Sequence, residues 1–350
     1  MTRRMRAAVL HGREDVRVED VEIPRLEAGE VLLRTRAALT CGTDVKVYRH
    51  GYHARMIQPP ALFGHEIAGV VEEVGPGVAS VARGTPVVAA NSAPCGACGY
   101  CRDDRASLCD DLLFWNGAYA EFARIPARIV EKNLLPLDAG TPFAAAALVE
   151  PLACVVRGIE ASRLREGQTV AIIGSGPIGL MLVALARLRG ASVVVVGRNS
   201  DRLRRAVEMG ATLAIDASSD PDLEERLRAC GRDGNGPDVV IEAAGLAETA
   251  QLAVRVVRKG GLVNLFAGCP AGARVTLDAR RLHYEELKVT SSFHHTPESF
   301  RAALRLIADG QVRADAFITS EASLEEVPEV LRRMAQGGDG LKTAILPWGQ

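Results

Sequence analysis

Thr169-Val-Ala-Ile-Ile-Gly-Ser-Gly-Pro-Ile-Gly-Leu-Met-Leu-Val-Ala-Leu-Ala-Arg-Leu-Arg189 carries an apolar run, a glycine turn and an amphipathic stretch in immediate succession. The spacing predicts a buried strand over 169–173, a turn over 174–179 and a helix over 180–189. Gly174, Gly176 and Gly179 fit G-x-G-x-x-G, with Pro177 and Ile178 between the last two. Between a strand and a helix this pattern marks a dinucleotide site, because bare backbone can approach a pyrophosphate at the helix N-terminus. Outward from that turn the rhythm persists. Strands are expected at 192–196, 211–216, 238–242, 261–266 and 287–292, with helical stretches after the first three. Strands and helices in alternation predict a parallel sheet covered by helices on both faces, a doubly wound α/β unit.

The end of the second strand bears on which dinucleotide is bound, since an acidic residue there bonds the adenosine ribose of NAD and repels a 2′-phosphate. Here the position is Gly197, followed by Arg198, Arg202 and Arg205. A charge-assisted bond of roughly 1.5–3 kcal/mol gives about a ten- to hundredfold preference, so NADP is expected over NAD. Arg205 reads equally well as part of a solvated helix face. Asn199, Ala244 and Phe293 are further expected to line the cofactor.

Residues 1–153 read differently, as short β-rich segments such as 30–36 and 67–74 broken by glycine and proline. After the alternating region come a helix at 297–309, a polar helix at 324–335 and a strand at 342–346. We assign 1–153 with 294–350 to one mostly β domain and 154–293 to the dinucleotide domain. Two domains suit 350 residues. The apolar stretch after the basic N-terminus, residues 7–10, is too short for a secretory signal, and no run approaches the ~20 residues of a membrane span. With 42 Lys and Arg against 43 Asp and Glu and no like-charge block, neither nucleic acid nor membrane is an expected partner.

Of eight cysteines, Cys95, Cys98, Cys101 and Cys109 form C-x2-C-x2-C-x7-C in a polar, turn-rich segment. Crowded thiols of this kind in a long chain point to metal in a reducing cytoplasm, not to a disulfide scaffold. Four thiolates would enclose a tetrahedral ion and leave no open position, a structural role for a lobe at about 91–112. An iron–sulfur cluster is the chemical competitor.

Three more segments offer ligand side chains: Cys41-Gly-Thr-Asp44, Gly64-His-Glu66 and Glu150-Pro-Leu152. Gly64, His65, Glu66, Gly69, Gly75 and Val78 follow G-H-E-x2-G-x5-G-x2-V. In this pattern the chain resembles the zinc-containing medium-chain dehydrogenase family over essentially its whole length. The segment from Glu150 is similar to the sorbitol and threonine dehydrogenase branch, where glutamate stands in place of a third ligand cysteine. The resemblance implies a GroES-like catalytic domain, a Rossmann domain, and Cys41, His65, Glu66 and Glu150 around a catalytic zinc, with either glutamate in the inner shell. With the four-cysteine lobe that makes two zinc ions per chain.

The resemblance also implies that Thr43 passes the alcohol proton to the cofactor ribose and that Asp44 orients the histidine. Lys46 departs from relatives that carry a histidine in the proton relay. Substrate contacts are expected from Tyr52, Trp115, His294 and His295, although Phe114 and Trp115 are equally suited to packing. The expected activity is hydride transfer between the nicotinamide and a small-molecule alcohol, polyol or sugar, or its carbonyl. The alternatives are a double-bond reductase on the same scaffold and a catalytically silent nucleotide-binding protein. Relatives suggest a homodimer or homotetramer.

Overall fold

The computed structural model describes residues 3–338 and 340–349. Two compact units emerge, one taking the chain to Ala153 and again from His295 onward, the other Cys154–His294.

The nucleotide unit is built on six parallel strands. Their spatial order is Leu213–Asp216, Ser192–Gly197, Thr169–Ile173, Val239–Glu242, Leu262–Leu265 and Lys288–Ser291. Thr169–Ile173 lies centrally and the chain departs from it in both directions, the doubly wound arrangement whose ligands sit beyond the strand carboxyl ends. Ile173, Val194, Val196, Val240 and Val263 are buried in one cluster, which is why these strands are apolar nearly throughout. The first helix is Pro177–Leu188, starting three residues before the expected 180. Gly176 caps it and proline occupies its first turn, where a missing N–H costs nothing. A short helix, Ala279–Tyr284, follows the fifth strand and was not expected; Asp278 caps it by accepting from the Arg280 and Arg281 N–H groups.

The other unit is mostly antiparallel. Val31–Leu39 pairs with Glu66–Val74, Phe122–Ile125 and Lys342–Leu346, so the C-terminal strand returns to the sheet formed by the first third of the chain. A separate sheet joins Arg4–Gly12 to Asp15–Glu22 and Ala61–Leu62. The core between them includes Leu33, Phe63, Ile67, Tyr119 and Ile345. Strand Ile318–Ser323, parallel to Lys342–Leu346, escapes a hydropathy reading because Thr319, Ser320 and Glu321 interrupt its apolar face. The polar helix runs Val327–Ala335, starting later than 324, and the final strand stands at 342–346 as expected. Among the described residues no helix is long and apolar enough to cross a membrane.

Candidate active site

Cys41 ends an extended segment and caps the helix Gly42–His50. Its sulfur accepts from the Thr43 N–H at 3.5 Å, and the Asp44 carboxylate accepts from the Cys41 N–H at 2.9 Å. This reciprocal cap fixes the cysteine backbone at a helix N-terminus, a setting that favours thiolate. Burial raises the Cys41 thiol, but the hydrogen bond and charge of His65 and the charge of Lys342 outweigh it and bring the thiol to about 7.

His65 and Glu66 arrive from another direction, at the start of strand Glu66–Val74. The preceding Gly64 has φ +84°, and a Cβ there would stand 2.7 Å from the ring of Tyr119, so the turn needs glycine on both grounds. The ligand atoms of Cys41, His65 and Glu66 lie within 4.8 Å of one another. The His65 Nδ1–H donates to Asp44 Oδ1 at 3.0 Å, which leaves Nε2 as the nitrogen that could ligate a metal. Both Glu66 oxygens accept from Lys342 Nζ, at 2.7 and 2.6 Å, and Lys342 also donates to the Thr40 carbonyl at 2.8 Å. Burial works against the lysine's charge, yet Glu66 first and then Cys41 raise its pKa and keep it protonated.

Glu150 lies in the first turn of helix Val149–Ala161, outside the three-residue group. Burial pushes its carboxyl up to about 7 despite the opposing charge of His65. His295 Nε2 is 3.8 Å from Glu150 Oε1 and within 3.0 Å of Asn91 Oδ1. Burial lowers His295 to about 3, so it is neutral at physiological pH. Sequence reading offered His295 as a substrate contact; the structure packs it in a polar nest with Asn91, Ser92 and Glu150.

Thr43 and Lys46 are three apart on their helix and share a face, the first partly exposed and the second exposed. Tyr52 is exposed. Trp115 packs against the core and its Nε1–H donates to the Arg124 carbonyl at 2.8 Å, the packing side of its two expected roles. His294, in the nucleotide unit, is half-buried with φ +60°, its ring 5.6 Å from that of Phe293.

The four cysteines converge with sulfur–sulfur distances of 3.5 Å for Cys98–Cys101, 3.9 Å for Cys98–Cys109 and 4.0 Å for Cys95–Cys101. Thiolates about 2.3 Å from a tetrahedral ion stand about 3.8 Å apart, so this donor set fits a closed zinc site. All four are free thiols. The Ala97 and Cys98 N–H groups lower Cys95 to about 6, while burial raises Cys101 to about 12.

In the nucleotide unit Gly174, Gly197, Ala244 and Phe293 all lie at or just beyond carboxyl ends of parallel strands. A Cβ on Gly179 would strike the Gly174 carbonyl oxygen at 1.8 Å, whereas one on Gly176 would meet nothing. The turn is therefore tight inside and open on the face a pyrophosphate would approach. A side chain at Gly197 would collide with Ser175 Oγ at 2.1 Å. Asn199 caps helix Ser200–Glu208 by accepting from the Arg202 N–H at 2.9 Å, and Arg198 beside it is exposed. Asp201, the acid in that first turn, is paired with Arg204 at 2.9 Å.

Comparison with known proteins agrees with both halves. Residues 27–136 match the alcohol dehydrogenase GroES-like domain, and residues 177–309 match the zinc-binding dehydrogenase domain. Sorbitol dehydrogenase of Bacillus subtilis is 30% identical over 98% of this chain and 97% of its own. L-threonine 3-dehydrogenase of Bacillus velezensis is 32% identical, covering 94% and 95%. A zinc-binding dehydrogenase of Sinorhizobium meliloti, solved bound to NADP, superimposes with a TM-score of 0.90 at 33% identity, over 99% of this chain and 100% of that one. The chain belongs to the zinc-containing alcohol dehydrogenase family, in its sorbitol and threonine dehydrogenase-like branch. It is a zinc-dependent, NAD(P)-linked oxidoreductase of alcohols or polyols.

Two residues of the cluster went unread in the sequence. Lys342 gave a faint signal, a lone cation in the otherwise apolar end of 341–346. Tyr119 gave none, since its partner Asp44 lies 75 residues away.

Proposed function

We propose that this enzyme interconverts a secondary alcohol, polyol or sugar hydroxyl with its carbonyl, using NADP in preference to NAD and two zinc ions per chain. The observation that carries the reading is the group of Cys41, His65 and Glu66, the last two buried, three different donor types within 4.8 Å, backed by Glu150. Such a set fits a catalytic zinc better than a structural one, because mixed N, S and O donors accompany sites that keep a position for substrate. Zinc held there supplies Lewis acidity toward the substrate oxygen. Asp44 holds the His65 ring in one orientation, and Lys342 balances the charge of Glu66. Thr43 relays the hydroxyl proton, and Lys46, on the same helix face, replaces the histidine that completes that route in relatives. Cys95, Cys98, Cys101 and Cys109 hold the second ion.

Preference for NADP is supported by Gly197, where no acidic side chain fits beside Ser175, and by Arg198 and Arg202 flanking the Asn199 cap. The sorbitol and threonine dehydrogenase relatives support a substrate with a secondary hydroxyl. We also propose a cytoplasmic homodimer or homotetramer; the edge strand Lys288–Ser291, with Val289 exposed and Tyr284 nearby, supports pairing there.

A panel of polyols, sugars and secondary alcohols assayed with NADP and NAD in parallel, alongside metal analysis, tests the reading. Two zincs per chain and loss of turnover on chelation are expected. Arg198→Ala should raise the Michaelis constant for NADP about ten- to hundredfold and spare that for NAD. An unchanged value for NADP refutes the cofactor assignment.

A further inference from the structure

Tyr119 is fully buried between strands, against Gly64 and edge-to-face with Phe63 at 6.0 Å. Its hydroxyl reaches Asp44 Oδ2 at 2.6 Å and the Leu39 carbonyl at 3.1 Å. A phenol has one proton to give, and the short contact to the carboxylate takes it. Asp44 Oδ2 then accepts from both Tyr119 and the Cys41 N–H, while Oδ1 accepts from His65. With Oδ2 occupied twice, the carboxylate plane is fixed and Oδ1 points at one place, the imidazole. Leu39 stands two residues before Cys41, so the same phenol touches the strand end that delivers the cysteine and the carboxylate that aims the histidine.

We infer that Tyr119 is a positioning residue for the catalytic metal: its hydroxyl sets the orientation of Asp44 and, through it, of His65. The inference rests on the proposal that Cys41, His65 and Glu66 hold zinc. Partners one step removed from a metal ligand change metal affinity by about 10–100-fold, and Tyr119 acts one step further out on a chain of buried side chains.

Tyr119→Phe removes the hydroxyl and keeps the ring that packs against Gly64. Zinc affinity is measured by chelator competition on the full-length wild type, Tyr119→Phe, Asp44→Asn and the double variant, with melting temperatures alongside. The expected result is about a tenfold weaker hold on one zinc in Tyr119→Phe, an unaltered four-cysteine zinc, and no added loss when the change is made on Asp44→Asn. Wild-type affinity at both sites in Tyr119→Phe would overturn the inference. Equal weakening of both zincs with a lowered melting temperature, or full additivity with Asp44→Asn, would overturn it too, since a merely structural tyrosine behaves so. A wild type that holds zinc only at the four cysteines would overturn the underlying metal assignment, and the inference with it.

Discussion

Cys95, Cys98, Cys101 and Cys109 come from one loop, whereas Cys41, His65, Glu66 and Glu150 are gathered from three segments spread over more than a hundred residues. The hydrogen bonds to the loop cluster's sulfurs run from its own backbone, as from the Cys98 N–H to Cys95 at 3.3 Å, while Arg128 on Asp111 and Asn133 on Ser92 tie the lobe to its unit at its ends. In the dispersed cluster three of the four side chains are set by something outside it, a helix cap for Cys41, Asp44 for His65, Lys342 for Glu66. The local set would gain its order from the ion; the dispersed set has its order from the fold. Metal loss should therefore injure stability at one site and chemistry at the other.

The sharpest way to break this contrast is Cys41→Ser. Loss of several kcal/mol of charge stabilisation should lower kcat by about a thousandfold or more, with the melting temperature nearly unchanged; a collapse of the fold instead would erase the distinction. Lys342→Met leaves Glu66 buried without its partner and should destabilise the chain by about 3–5 kcal/mol, partly recovered by adding Glu66→Gln. Denaturant unfolding of both variants measures it. Cys98→Ser should cost about 2–4 kcal/mol, roughly 5–15 °C in melting temperature, while kcat at a temperature where the variant stays folded keeps most of its value.

The last effect concerns acid. His295 is held near 3 in the folded chain against an ordinary 6.5, so below pH 6.5 the unfolded chain binds the extra proton and stability falls, by up to about 1.4 kcal/mol per pH unit until the folded value is reached. His295→Gln should flatten that slope between pH 6.5 and 4.5; an unchanged slope would remove His295 as its source.

The same contrast explains what could be read in advance. The glycine turn at 174–179 and the four cysteines at 95–109 each lie within fifteen residues, so local spacing is enough to mark them as candidate sites. The two-unit division followed from the change of period after Gly167, and the parallel sheet from its apolar runs. The expected strands at 211–216 and 261–266 are shorter in the structure, Leu213–Asp216 and Leu262–Leu265, because the Ala211 and Gly261 N–H groups bond back to the carbonyls of Ala206 and Arg258 instead of across the sheet. Lys342 and Tyr119 lie 276 and 75 residues from the carboxylates they serve, and no local pattern encodes such a meeting. His294 and His295 were indistinguishable for the converse reason: two histidines at a strand end look alike in sequence, and only packing separates the buried one from its half-buried neighbour.

The crowding of Gly197 by Ser175 also bears on redesign. Gly197→Asp is not accommodated by itself, because the new Cβ would stand 2.1 Å from Ser175 Oγ and 2.6 Å from its Cβ within the glycine turn. An acidic side chain at 197 therefore calls for a smaller residue at 175 as well, and the two positions are best varied together.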